Sequence, residues 1–437
     1  MSVKLPLKIA LVGCGRVADK HLKAFNYLAK NNRKHGKRAE LIALVDPIPQ
    51  ARERIISGYK LAKNIKTAKS NTGSAGENVR QYTDKNPLQD VNKNPVQYVD
   101  KNSGQYVDKN TGQYVDKNAG QYIDKNTGQY ICDYIKQFDS LEELFAASFN
   151  DSTRKPDIVA ITTPSGQHYA QAKLALENDC HVFIEKPIAM QLEHAQELQF
   201  LAEQKNKKII IGHIFRYFPV IGLVAQDIAQ GLFGKPLYGS VSVRWGHDQA
   251  YYDQAAWRGT REHDGGAIMN QSIHALDLMR WLLGEPELIS AKGAISTQIH
   301  QIESEDLGFG IFELADDRWL MLEGTTNTEP TRPEASFFVR LTEGDIKAGI
   351  SSGKISFSVL DSNGKQLKRR YIKREIIQRI KTEGFSYLLQ MGNPHTAIYI
   401  DLIDSILYDR QPLADVVSGI KSLELVQALY QDAGVEL

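Results

Sequence analysis

A doubly wound α/β domain followed by an α+β domain on a large, mostly antiparallel open sheet is predicted by three observations on this 437-residue chain. As far as residue 215, short aliphatic runs alternate with turn residues and helical patterns, as parallel strands joined by crossover helices do. Beyond that point the runs lengthen, several alternate apolar with polar residues, and the helices between them become few. Within the first half, an octapeptide repeats between the second strand and the next. The expected division is therefore 1–215 and 216–437, with a repeat-rich insertion over 66–132.

Residues 8–12 form the first buried strand, and Gly13-Cys14-Gly15-Arg16-Val17-Ala18 leads from it into a helical pattern over 21–29. Residues 41–45 form the second strand, which ends on Asp46. The parallel set continues near 134–138 and at 158–161 and 181–184, with 208–211 as its last strand. In the second half, 237–245, 289–298, 307–314, 319–325, 336–341 and 354–360 read as strands, and 395–408 and 416–432 as closing helices. In the insertion, Gln recurs at 81, 89, 97, 105, 113, 121 and 129, in the unit Gln-Tyr-Val-Asp-Lys-Asn-Thr-Gly with small variations. A period of eight matches no helical face but suits a short strand plus an Asn-Thr-Gly turn. Each unit offers only a Tyr and a Val or Ile for burial, too little to offset the entropy of ordering it. A mobile polar insertion over about 81–130 is expected, with a small β-meander or solenoid as the alternative.

Composition narrows the function classes. A formal net charge of +1 gives no general attraction to nucleic acid or anionic membranes. No apolar run approaches the roughly 18 residues of a membrane span, and Met1 to Leu7 is not followed by a signal-peptide core. Cys14, Cys132 and Cys180 are odd in number and far apart, with neither zinc spacing nor a disulfide framework. No metal site is expected, and a reducing cytoplasm is the expected compartment.

Gly13-x-Gly15-x-x-Ala18, between a strand and a helix, has the physical parts of a dinucleotide site. The first Gly permits the tight turn, the second lets backbone approach a pyrophosphate at the helix N-terminus, and Ala18 permits close helix–strand packing. Arg16 and Val17 lie within that turn. Asp46 would accept hydrogen bonds from ribose hydroxyls and repel a 2′-phosphate, which favours NAD over NADP. Thr162-Thr163-Pro164-Ser165 follows another strand end, so Thr163 and His168 join the cofactor set; capping of the next helix is an equally physical role. Glu185-Lys186-Pro187 stands at a third strand end, with Glu185 at the cofactor and Lys186 placed to hold a reacting hydroxyl and its developing charge. His274 follows in Ala267-Ile268-Met269-Asn270-Gln271-Ser272-Ile273-His274-Ala275-Leu276-Asp277.

These three motifs, in this order, resemble the Gfo/Idh/MocA oxidoreductases over nearly the whole chain except the repeats. The resemblance implies a Rossmann domain, a C-terminal domain with an open sheet, and homodimers or homotetramers built through that sheet. Most members of the family carry an Asp four residues before the histidine; this chain has Asn270. With Tyr251-Tyr252-Asp253-Gln254-Ala255-Ala256-Trp257-Arg258-Gly259-Thr260 and Asp264-Gly265-Gly266, it resembles the branch that oxidises UDP-N-acetylglucosaminuronic acid at C3 for bacterial surface glycans. The chain departs from that branch at Gly212-His213-Ile214-Phe215-Arg216-Tyr217 and at Arg261-Glu262-His263. The implied roles are His274 as general base, Lys186 on the hydroxyl and Asn270 on the sugar or Lys186. On chemistry alone, Arg216 and Arg258 are candidates for the carboxylate or pyrophosphate, which a guanidinium binds bidentately, Tyr252 and Trp257 could flank the sugar or uracil, and Asp277, one helical turn on at i+3, could orient His274. A free-sugar or inositol dehydrogenase and a noncatalytic dinucleotide-binding sensor are the competing functions.

Overall fold

A computed structural model describes residues 5–29, 38–59, 97–100, 105–107, 114–116, 121–123, 135–151, 154–383 and 393–435. Its first half runs β1 (Leu7–Val12), α1 (Ala18–Leu28), β2 (Ala39–Val45), helix α2 over 49–59, β3 (Gln97–Asp100), β4 (Gln105–Val107), β5 (Tyr114–Asp116), β6 (Gln121–Ile123), β7 (Lys136–Phe138), α3 (Leu141–Asn150), β8 (Ile158–Ile161), α4 (His168–Glu177), β9 (His181–Ile184), α5 (Leu192–Gln204) and β10 (Ile209–Ile211). Strands β10, β9, β8, β1, β2 and β7 lie in that order, every pair parallel. Their aliphatic runs are buried on both faces, as helix-covered parallel strands require; all four residues of β8 are buried. The chain lays down β1, β2 and β7 on one side and β8 to β10 on the other. The strand order therefore reverses between β1 and β8, where a crevice opens at the strands' carboxyl ends.

The second half runs α6 (Pro219–Ala229), β11 (Pro236–Arg244), α7 (Gln249–Tyr252), a π-helical turn (Ala267–Ser272), α8 (Ile273–Leu282), β12 (Leu288–Ser296), β13 (Leu307–Leu314), β14 (Arg318–Thr325), β15 (Glu334–Leu341), β16 (Gly344–Ser351), β17 (Lys354–Asp361), α9 (Lys368–Glu383), α10 (Pro394–Leu407) and α11 (Val416–Asp432). Its sheet has the order β12-β13-β14-β11-β15-β16-β17 and is antiparallel except between β11 and β14. Strand β16 has no counterpart in the sequence reading because Gly344, Asp345, Lys347 and Gly349 break its apolar rhythm; the ladders on both sides form it. Helix α9 was hidden by Lys and Arg residues that leave it mostly exposed. Leu237, Tyr238, Ile311, Trp319 and Met321 stand exposed on one face of the sheet.

Two features cross the expected division. Helix α10 returns to the first sheet, where Ile398, Tyr399, Leu402 and Ile403 share a buried core with Phe25 of α1 and Leu11 of β1. Helix α11 lies so close to β10 that a methyl group on Gly419 would fall 2.9 Å from Ile211. In the octapeptide region, β3 to β6 form an antiparallel meander with Tyr98 opposite Tyr106, Tyr106 opposite Val115 and Val115 opposite Tyr122. The rest of 66–132 lies outside the described residues. No helix among the described residues is long and apolar enough to cross a membrane.

Candidate active site

The crevice is a cleft of about 740 Å³ whose wall includes Gly13, Gly15, Asp46, Thr163, Lys186 and Asn270. Gly13 has φ +87°, and a Cβ there would lie 2.8 Å from the backbone of Thr162 and Thr163, so the turn admits glycine alone. At Gly15 a Cβ would meet nothing within 4 Å, which leaves open the approach of an anionic group to the positive start of α1. Val17 occupies the N-cap position of that helix without a side-chain hydrogen bond, and Ala18, its first residue, is fully buried. Arg54 secures the turn by donating to the carbonyls of Cys14 at 2.7 Å and Gly15 at 2.8 Å. Its distance from the motif gave no sequence signal. Cys14 and Cys180 are free and buried, each thiol pushed up to about 12, chiefly by burial, so neither is reactive at neutral pH. Cys132 lies outside the described residues.

Asp46 accepts the amide of Cys14 at 2.7 Å through one oxygen and that of Ile48 at 2.8 Å through the other. Each oxygen keeps a lone pair for a ribose hydroxyl on the cleft side. Asp46→Ala is expected to raise the KM for NAD roughly thirtyfold, the equivalent of about 2 kcal/mol for a hydrogen-bonded charge, and to narrow the preference over NADP. Steady-state kinetics with both cofactors checks this. Thr163 and His168 also line the cleft. The His168 ring is held by the carbonyls of Pro187 at 2.7 Å and Thr163 at 3.0 Å, and so links two strand ends.

Glu185 faces two histidines, His21 at 2.9 Å and His395 of α10 at 3.4 Å, while His21 also meets the Tyr399 hydroxyl at 2.8 Å. Burial pushes Glu185 up, but hydrogen bonds from His21 and His395 outweigh it and hold the carboxyl well below its usual range. Beside it, the Lys186 ammonium donates to the carbonyl oxygen of Asn270 and, at 2.9 Å, to its side-chain oxygen. The Asn270 amide in turn donates to Asp264, whose other oxygen accepts the Gly259 amide at 2.8 Å. Asp264 also lines the cleft and is 2 % exposed. Asn270 reaches this position from the π-helical turn, a local widening often found at functional sites.

His274 follows on α8 and is half-buried, without forming part of the cleft lining. Its ring packs against Phe215 at 5.4 Å and His213 at 6.1 Å, and its Nδ1 is buried without a hydrogen-bond partner among the described residues. Nε2 is therefore the nitrogen left for a proton. Burial first, then the Lys186 charge and His213, hold this histidine well below its usual value, so it is neutral at pH 7.

Arg216 and Asp277 are brought together away from the cleft. They form a buried pair at 2.8 and 2.9 Å, 3 % and 0 % exposed, with Arg216 also on Glu285 at 2.9 Å. This geometry gives the pair a structural place rather than contact with a sugar, and Asp277 faces Arg216 rather than orienting His274. Tyr252 is likewise buried, its hydroxyl donating to Thr326 at 2.9 Å. Arg258 and Trp257 do line the cleft. The Arg258 guanidinium stacks over Tyr251 at 4.4 Å and Trp257 at 4.5 Å, and donates to the Tyr251 hydroxyl at 2.8 Å. Arg16 approaches the same Tyr251 ring at 5.6 Å. Sequence reasoning passed over Tyr251 and Asp264, although both stood in the stretches it singled out.

Both halves of the chain are similar to known proteins. Residues 128–213 match the family model described as oxidoreductase family, NAD-binding Rossmann fold, and 225–436 match oxidoreductase family, C-terminal alpha/beta domain. Residues 98–132, within the octapeptide region, match the OCRE domain. The WlbA dehydrogenase of Chromobacterium violaceum, solved with NADH and UDP-GlcNAcA, is similar with a TM-score of 0.69 and 24% identity, over 99% of this chain and 95% of that one. Its counterpart from Bordetella pertussis, with the same ligands, gives 0.66 and 24% over 98% and 95%. A UDP-N-acetylglucosamine 3-dehydrogenase of Acidithiobacillus ferrooxidans is 34% identical over 138 residues, 31% of this chain and 39% of that protein. The chain spans about half the length of the curated relatives it matches.

Proposed function

The chain belongs to the Gfo/Idh/MocA oxidoreductase family, with its NAD-binding Rossmann domain, and from that premise we propose that it oxidises the C3 hydroxyl of a UDP-N-acetylated hexuronic acid, UDP-GlcNAcA, to the 3-keto sugar. The product would enter the synthesis of bacterial surface-polysaccharide sugars. The observation that carries the reading is the Lys186–Asn270–Asp264 line at the wall of the cleft that the glycine turn also lines. The similarity to dehydrogenases solved with UDP-GlcNAcA supports the substrate class.

Gly13, Gly15, Arg16, Val17 and Asp46 would hold the dinucleotide, together with Thr163, His168 and Glu185. Bound NAD supplies a hydride acceptor. Lys186 donates a hydrogen bond to the reacting oxygen and stabilises its alkoxide character as the C3 hydride departs. Neutral His274 takes the hydroxyl proton at Nε2, so the alcohol loses one hydride and one proton and becomes a ketone. Arg258, stacked and pre-oriented, binds the sugar carboxylate or the pyrophosphate through its planar fork. Trp257 and Tyr251 wall the sugar. The exposed apolar face around Tyr238 and Trp319 supports assembly into a homodimer or homotetramer.

Mass spectrometry of UDP-GlcNAcA incubated with the purified protein, NAD and a 2-oxo acid to recycle NADH tests this reading. Loss of two hydrogens from the sugar, abolished by Lys186→Ala, is the expected result. Oxidation of a free sugar or inositol instead would move the substrate class, and NAD binding with no sugar oxidised would make the chain a sensor.

A further inference from the structure

We propose that Asp264 is the positioning carboxylate of this site, acting through the Asn270 side-chain amide to hold Lys186 in place and keep its ammonium charged. The proposal rests on the oxidoreductase reading above and deepens it. Asn270 carries no charge, so it cannot itself balance a buried ammonium. The hydrogen bonds of the other carboxylates nearby go elsewhere: Glu185, whose charge also acts on Lys186, faces His21 and His395, and Asp277 is clamped by Arg216. Among the described residues, Asp264 is the one connected to Lys186 by a continuous line of hydrogen bonds.

The planar amide makes that line directional. Accepting from Lys186 at 2.9 Å on its oxygen, Asn270 must present its NH2 to the opposite side, where Asp264 receives it. A carboxylate on the NH2 polarises the amide and makes its oxygen a stronger acceptor for the ammonium. Asp264 cannot swing away, because its second oxygen is fixed by the Gly259 amide at 2.8 Å and the residue is buried. The charged and titratable groups around Lys186 are Glu185, Asp264, Lys20, His168, His213 and His274; those around Asp264 are Lys186, Arg258 and Tyr252. Burial lowers the Lys186 pKa, and the negative charges of Glu185 and Asp264 oppose that fall. Loss of the Asp264 charge therefore lets Lys186 shed its proton at lower pH.

The test reads Lys186 directly and needs no turnover. The full chain without substrate is acylated with trace acetic anhydride across a pH series, and modification of the Lys186 peptide is followed by mass spectrometry. Asp264→Asn is expected to lower the midpoint of Lys186 reactivity by about one pH unit or more, the usual effect of removing a nearby opposite charge. Asp264→Asn combined with Asn270→Asp moves the carboxylate one place inward and should restore the midpoint. If Asp264→Asn does not fold, Asn270→Ala severs the same line and is expected to lower the midpoint. An unchanged midpoint in the folded variant, or a double variant that fails to restore it, overturns the proposal. In turnover, Asp264→Asn should bring the alkaline limb of kcat to lower pH with the sugar KM little changed. A lowered midpoint in a chain that oxidises no sugar would support the positioning role and defeat the oxidoreductase reading separately.

Discussion

His274→Ala is expected to lower kcat by about a hundredfold to ten-thousandfold, the usual contribution of a positioned general base, with NAD affinity near its wild-type value. NAD affinity should survive because the residues placed to hold the cofactor lie along the cleft, whose lining does not include His274. The expected pH dependence has a definite sign. Burial, the Lys186 charge and His213 all favour the neutral ring, so in the proposed base role His274 would stay competent to pH values below 6.5. Lowering the pH through its depressed pKa protonates it and stops the reaction. The acid limb of kcat/KM should therefore lie below 6.5, and a limb at or above that value would belong to another group. Turnover within about tenfold of wild type in His274→Ala would remove the histidine from the base role.

Arg216→Ala is expected to destabilise the chain by about 3–5 kcal/mol, because it strands the Asp277 carboxylate in the interior. Asp277 is fully buried, and beyond Arg216 it accepts only a longer hydrogen bond, from the Ser422 hydroxyl at 3.2 Å, among the described residues. Replacing both members together, as Arg216→Met with Asp277→Leu, should cost much less, since no charge is then left unpaired. Urea unfolding of wild type and the two variants gives the comparison. Acid adds a second measurement: burial pushes the Asp277 carboxyl up, but Arg216 and His213 pull it below its ordinary 3.8. A depressed carboxyl contributes stability that is complete above its unfolded value and lost as pH falls through its folded one. Wild type should therefore lose this contribution below about pH 3.8. Little activity change in a folded double variant would agree with a structural pair, whereas a large rise in the sugar KM would return Arg216 to the substrate.

The parallel half was legible because its strands are short, aliphatic and flanked by turn residues, and because Gly13, Gly15 and Asp46 each answer to a local geometric demand. Lys186 was legible as a candidate through a motif at a strand end, whereas Asn270, in the π-helical turn, and Arg258, in a turn after α7, were legible only through the stretches that resemble a family branch. Asp277 was misjudged on helical spacing alone. Three residues after His274 puts it near that ring along the helix, but its orientation is set by Arg216, 61 positions earlier. Asp264 was passed over for the converse reason: its partner Asn270 lies in a π-helical turn, whose period no α-helical count anticipates. Tyr251 and Tyr252 adjoin in sequence, yet one walls the cleft and the other is buried against Thr326, a choice made by packing.

The return of α10 to the first sheet bears on how the chain is made. A ribosome delivers the nucleotide-binding strands long before residues 394–407, which complete the core beside α1. During that interval the apolar surface of α1 lacks the cover that Ile398, Tyr399 and Leu402 later provide, and His21 lacks Tyr399. The N-terminal half is thus expected to remain a holding state, dependent on chaperones, until synthesis is nearly over, and to acquire native protease resistance only afterwards.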